Sequence, residues 1–222
     1  MYNLLQRIDL EIERRSLLKH KFYRLWSEGK LDMKQLKGYS LEYFQMVRAV
    51  PLLVKNIVSC CTDDTNLKPA LRENYNEEFE HIDLWAKFTD SLGIKSNELV
   101  DYISSDATNN AIKFLIRVTG KSLGQGAAAM YAFEKQLPEI SRSKIDGLVL
   151  FYNLDNNNKE GTEYFRVHEK VDVRHAAMWK SIIENVSHDP PELLLQAAID
   201  SLCAQNRLLD SVYERYIVPA NS

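Results

Sequence analysis

An all-α fold, packed as a compact helical bundle, is what this sequence predicts, and three observations carry the prediction. Glycine and proline are scarce, 8 and 6 in 222 residues. No stretch sustains the period-2 alternation of a half-buried strand. Apolar residues instead recur at helical spacing over 4–26, 33–60, 67–92, 109–118, 123–150, 159–186 and 191–216, which gives about seven helices.

The breaks between these segments carry turn chemistry. The first helix ends at Ser27-Glu28-Gly29, the second at Thr62-Asp63-Asp64-Thr65-Asn66 and the third at Gly93. Ser104-Ser105-Asp106 precedes the fourth, Gly120 follows it, and Asp155-Asn156-Asn157-Asn158 separates the fifth from the sixth. Long helices joined by short loops pack mostly antiparallel, and such bundles build metal sites between facing helices. Pro51 and Pro138 fall inside helical patterns, so kinks are expected there; Pro138 frees the carbonyl of Glu134. Gly124 and Gly126, with the alanines after them, suit close helix packing.

The bulk numbers bound the function. A 222-residue chain that is 45% hydrophobic fits one domain, 1–222. With 28 basic and 31 acidic residues and a net charge of -3, it carries no electrostatic footprint for nucleic acid or an anionic membrane. Cys60, Cys61 and Cys203 form neither a disulfide framework nor a zinc knuckle. Charged residues interrupt the N-terminal apolar positions, and no run reaches the roughly 18–20 apolar residues of a membrane span, so a cytoplasmic location is expected.

The chemistry-bearing residues lie on helices. His168, Asp172 and His175 stand at i, i+4 and i+7, within about 60° of arc on one face. Glu77 and His81 repeat the device at i, i+4, with Glu78 and Glu80 as alternatives for the carboxylate. Glu134 follows the apolar stretch 126–133. Taken singly, each is equally a solvated face or a satisfied core acid. Together they use three of the five histidines and distribute carboxylates and imidazoles over facing helices, as dinuclear carboxylate-bridged bundles do. Three buried carboxylates would otherwise cost many kcal/mol or be forced to protonate, and two divalent cations neutralise them. Oxygen and nitrogen donors without thiolate suit iron or manganese rather than structural zinc.

Other features are weaker. Thr119-Gly120-Lys121-Ser122 resembles the tail of a phosphate-binding loop, but Leu115 occupies the place of the required first glycine. His20 and His188 read as surface or capping residues. The aromatic run Phe22, Tyr23, Trp26, Tyr39, Tyr43 and Phe44 reads as core, and a tyrosine beside an oxygen-activating metal pair is redox-active, which singles out Tyr23, Tyr43, Tyr131 and Tyr164.

His20-Lys21-Phe22-Tyr23, Trp26-Ser27-Glu28-Gly29, His81-Ile82-Asp83-Leu84-Trp85, Tyr131-Ala132-Phe133-Glu134 and the run from His168 to His175 closely resemble the haem-oxygenase-like di-metal oxidases, over nearly the whole chain. The resemblance implies the helical bundle shared with thiaminase-like and pyrroloquinoline-quinone synthase proteins, and a dinuclear non-haem Fe/Fe or Fe/Mn centre at the six positions Glu77, His81, Glu134, His168, Asp172 and His175. It also implies dioxygen and a reductant as co-substrates, and synthesis of 4-aminobenzoate for folate from the protein's own tyrosine. By position the sacrificed tyrosine is Tyr23 and the amino donor Lys144, each chain acting once. Phe133 stands where the resembled pattern has tyrosine, and the segment before His81 is about three residues shorter.

A reading from a different class is an interaction protein that binds death-domain proteins of a host, with the bundle as scaffold; it carries with it secretion into that host. A thiaminase-like hydrolase using Cys60 or Cys61 lacks a recognisable paired base. A homodimer is compatible with either main reading.

Overall fold

The computed structural model describes residues 2–62, 66–154 and 160–218, and among these every regular element is helical. The turns expected at Asp63-Asp64-Thr65 and Asp155-Asn156-Asn157-Asn158 lie outside the described residues. The chain begins with α1 (Leu4–Arg14), started by a capping box between Asn3 and Gln6. A single 3₁₀ turn (Leu17–Lys19) leads to α2 (Lys21–Ser27). The sequence pattern runs unbroken through 4–26, but the helix stops at Arg15, and His20 restarts it by accepting the Phe22 amide on its side chain. That cap turns α2, and Tyr23 with it, into the core.

Helix α3 (Met33–Cys60) starts on a second capping box, Asp32 with Gln35, and contains Pro51 without ending there. Helix α4 (Leu67–Ser91) terminates at Gly93, whose φ of +72° is the left-handed conformation that glycine adopts without strain. A short α5 (Ser96–Val100), absent from the periodicity reading, precedes α6 (Asp106–Thr119), which Ser105 caps.

Between 123 and 150 the single kinked helix expected from the pattern is corrected to two. Helix α7 (Leu123–Glu134) ends at Lys135, and α8 (Leu137–Phe151) begins with Pro138 in its first turn. Proline lacks an amide and its fixed φ suits a first turn, so here it starts a helix instead of bending one. Helices α9 (Glu160–Asn185) and α10 (Pro191–Tyr216) complete the chain.

Helix α7 is the centre of the bundle. Every residue from 126 to 134 is buried, and α7 packs on α9, α10 and α6, while α4 lies against both α3 and α9. The carboxylates and imidazoles on α4, α7 and α9 therefore face one another. No helix among the described residues is long and apolar enough to cross a membrane.

Small residues set the approach of α7. A Cβ on Gly126 would stand 2.6 Å from Ile57 Cγ1 and 2.9 Å from the Thr119 carbonyl oxygen, and the latter is backbone that cannot swing away. Gly126→Ala is expected to lower stability by about 1–3 kcal/mol despite the better helix propensity of alanine. Urea unfolding followed by circular dichroism checks this, and an unchanged midpoint would show that α7 has room to shift.

Candidate metal centre

The central face of α9 carries His168, Asp172 and His175, all buried, at the i, i+4, i+7 spacing of one helical stripe. Opposite them α4 presents Glu78 and His81, and the last residue of α7 presents Glu134. Two donor triads result, Glu78 with His81 and His168, and Glu78 with Glu134 and His175, and within each the donor atoms lie within 4.8 Å of one another. Glu78 belongs to both.

Glu77 and Glu78 were both open to the sequence, because i, i+3 and i, i+4 share a helix face. The structure puts Glu78 inside the cluster, 3.3 Å from His81 Nδ1 and 3.4 Å from His175 Nδ1. Glu77 sits at the rim with its side chain 26% exposed, accepting from Arg174 at 2.6 Å and from His175 Nε2 at 2.7 Å. Glu80 is exposed. The Glu77 carboxylate on Nε2 of His175 orients the ring and leaves Nδ1 facing Glu78, Glu134 and Asp172.

His168 is oriented in the same manner. Its Nδ1–H donates to the Tyr164 carbonyl at 2.7 Å, since a carbonyl can only accept, so the other ring nitrogen is left with its lone pair. Burial and the neighbouring His81 lower its pKa to about 4, keeping the ring neutral. Glu134 is held by Trp179, whose indole N–H donates to Oε2 at 2.7 Å. Nothing in the sequence marked Trp179 for this part.

The remaining polar atoms test whether a cation fits. Glu134 Oε1, both carboxylate oxygens of Asp172 and His175 Nδ1 are buried without a hydrogen-bond partner. Native interiors rarely leave such atoms unsatisfied, and four of them in one cluster of oxygen and nitrogen donors fit a cation. Protons occupy that role otherwise. Burial, then repulsion from Glu134 and Glu78, drives the Asp172 pKa well up. Burial also raises Glu134, to about 8. Burial acts to raise Glu78 too, but hydrogen bonds from His175 and His81 outweigh it and keep the carboxylate charged. His175, against the effect of its own burial, is raised to about 9 by Glu78, Glu134 and Glu77. A mixed carboxylate and imidazole set of this kind accommodates iron or manganese.

Tyr23 and Lys144 lie in a second buried chamber. Tyr23 is 2% exposed and Lys144 is 3% exposed. The Lys144 ammonium is ringed by Tyr23, Tyr39, Tyr43, Phe165 and Trp85, with ring centres 5.0–5.9 Å from Nζ. Burial alone lowers its pKa to about 7. The chambers adjoin through Tyr43 and Tyr164: both line the cavity beside Glu78, His168 and Asp172, and the Tyr164 ring stacks on His168 at 4.0 Å. Phe133 lines the same cavity. Tyr131, by contrast, points away and donates to Asp9 at 2.8 Å.

Residues 37–206 match the family model described as iron-containing redox enzyme. A protein of Chlamydia muridarum named 4-aminobenzoate synthase is 36% identical over 217 residues, 96% of this chain and 91% of that one. One of the same name from Nitrosomonas europaea is 31% identical over 227 residues, covering 95% and 91%. Among solved structures, a TenA homologue of Pseudomonas syringae pv. tomato superposes with a TM-score of 0.81 at 16% identity, covering 95% of this chain and 91% of the other. A haem-oxygenase-like domain of unknown function from Shewanella denitrificans gives 0.79 at 17% identity over 96% and 91%. At those identities the structures speak for the fold, whereas the family match and the curated relatives establish descent: the chain belongs to the haem-oxygenase-like family of iron-containing redox enzymes.

Proposed function

We propose that this oxidoreductase is an oxygen-dependent 4-aminobenzoate synthase that makes its product from its own Tyr23, once per polypeptide, with Lys144 as amino donor. The observation that carries the reading is the pair of buried donor triads sharing Glu78, an arrangement that could hold two cations. Glu78, His81 and His168 would hold one metal and Glu134 and His175 the other, with Asp172 beside them and Glu77 steadying His175. Two irons, or iron with manganese, would supply the activation of dioxygen, an external reductant serving only to bring the metals to their reduced state beforehand. The relatives named 4-aminobenzoate synthase support the product class. The chain acts in this reading as one domain, 1–222, in the cytoplasm.

One dioxygen balances the cleavage. The Cα–Cβ bond of Tyr23 breaks, Cβ becomes the carboxyl carbon bearing both oxygen atoms, and one hydrogen returns to Cα, leaving glycine at position 23. The nitrogen exchange is redox-neutral: the ring gains a bond to Lys144 Nζ and loses its phenolic oxygen, which passes to Lys144 Cε. The chamber contributes dryness and proximity. Lys144 Nζ lies 5.3 Å from the Tyr23 ring centre, and the dry cage keeps a share of the amine neutral and nucleophilic near neutral pH.

Elemental mass spectrometry after anaerobic loading should find about two metals per chain in the wild type. His168→Ala and Glu78→Gln are expected to lose most of that metal, whereas Glu77→Gln should keep both ions at roughly 10–100-fold weaker affinity. Tyr23→Phe should keep the metal yet release no 4-aminobenzoate on exposure to dioxygen. A wild type that holds no stoichiometric metal would end this reading.

Lys144 also sets a pH dependence. Its folded pKa of about 7 lies below the ordinary value of 10.5. Between these values the unfolded chain binds a proton that the folded chain does not, so stability rises with pH across the window and is lost as pH falls through about 7. Lys144→Met keeps the stem and removes the charge. In urea unfolding at about pH 6 and about pH 9, the wild type should gain stability over this variant on going to the higher pH; parallel behaviour would mean that the amine is not desolvated.

A further inference from the structure

Of the buried titratable groups that the proposed reaction leaves unused, Tyr39 is the one hydrogen-bonded to a reacting side chain. It lies on α3 with no exposed surface. Its hydroxyl accepts a hydrogen bond from Lys144 Nζ at 2.5 Å, and the same Nζ lies 5.3 Å from the centre of the Tyr23 ring. An ammonium or amine donates along its N–H bonds, so the acceptor it finds decides which way it faces. The amine is thus held between the Tyr39 hydroxyl and the Tyr23 ring.

The ring that carries this hydroxyl is fixed. It stacks on Phe22 at 4.7 Å and 28°, meets Trp26 edge-on at 5.6 Å, and touches Tyr43 at 5.3 Å and Trp85 at 6.0 Å. The amine, in contrast, ends a flexible four-carbon stem. From the elements packed around it, α2 presents Tyr23, α3 presents Tyr39 and Tyr43, α4 presents Trp85 and α9 presents Phe165. Tyrosines are the only titratable groups in that set, and among the described residues no carboxylate pairs with Lys144. The surrounding rings attract a cation without fixing the direction of its N–H bonds, and that direction comes from the hydroxyl.

We propose that Tyr39 is a positioning residue whose hydroxyl holds the Lys144 amine beside the Tyr23 phenol and so directs the nitrogen onto the ring released from Tyr23. The inference rests on the self-sacrificing reading above and adds to it a distinct requirement: oxidation of Tyr23 needs the metal pair, whereas coupling of that oxidation to Lys144 needs Tyr39.

Three proteins test it: wild type, Tyr39→Phe, which keeps the ring, and Phe22→Leu, which loosens the packing against that ring without touching a hydroxyl. Each is loaded with iron and manganese, exposed to dioxygen and mapped by peptide mass spectrometry for change at Tyr23 and at Lys144. In the wild type the two changes should occur in equal amounts. Phe22→Leu should keep that ratio whatever the extent of its alteration. Tyr39→Phe should still alter Tyr23, with the ratio of Lys144 to Tyr23 change and the yield of 4-aminobenzoate both falling about tenfold or more, the scale of one lost hydrogen bond to a charged group. Before loading, reductive methylation of Lys144 at fixed pH should be several-fold faster in Tyr39→Phe, because the amine is no longer tethered. An unchanged ratio or an unchanged methylation rate in Tyr39→Phe overturns the inference. A wild type altered at Tyr23 with Lys144 intact also overturns it, placing the donor elsewhere, while a wild type unaltered at Tyr23 overturns the self-sacrificing reading itself.

Discussion

Three carboxylates, Glu78, Glu134 and Asp172, lie in the apolar centre of this bundle, and the structure around them is organised by the need to balance their charge. Burying even one ionised group costs several kcal/mol after relaxation, so three within reach of one another are tolerated only with protons or cations among them. Here the neighbours leave donor atoms turned into the cluster. His168 spends its one N–H on the Tyr164 carbonyl and His175 turns one nitrogen to Glu77, so that each keeps a second nitrogen for the cluster. Trp179 satisfies one oxygen of Glu134 and leaves the other bare. Such half-satisfied groups would be a defect in a purely structural core.

The helical class and most of the cluster were legible in the sequence for a simple reason: a helix converts residue spacing into direction. His168, Asp172 and His175 share a stripe whatever the tertiary structure does, and an acid after eight residues of unbroken apolar chain has to face the interior. The choice between Glu77 and Glu78 was not legible, because both share a face with His81 and about 100° separates them, less than the width of the contact surface with α9. The packing distinguishes them: Glu78 is buried against His81 and His175, while Glu77 pairs with Arg174 at the rim. Likewise, the restart at His20 depends on a side chain capping its own helix, and periodicity is blind to that when the apolar pattern continues across the break. Tyr39 reads as ordinary core and Trp179 carries no mark in the sequence, because their polar tips, one O–H and one N–H, find partners that are distant in sequence.

The two buried chambers differ in kind. Around the carboxylates, charge is balanced by charge. Around Lys144 it is balanced by the faces of neutral rings, with no ion pair among the described residues. An amine held this way is tuned by exclusion of water rather than by a counter-ion, so salt has little purchase on it. Tyr43, Trp85 and Tyr164 form the wall between the two, with Trp85 anchored through its indole N–H to the Ser40 carbonyl at 3.0 Å.

The interruption between α7 and α8 has a mechanical side. Glu134 is the final residue of one helix, and Lys144 rides on the next, past the break at Lys135 and Gln136. A continuous helix would transmit any tilt of its first half to its second, so that closing the carboxylates around an ion would drag the amine with them. The break at Lys135 and Gln136, where Pro138 supplies no amide, loosens that linkage. The end that carries Glu134 is thereby less stiffly tied to the stretch that seats the lysine among its rings.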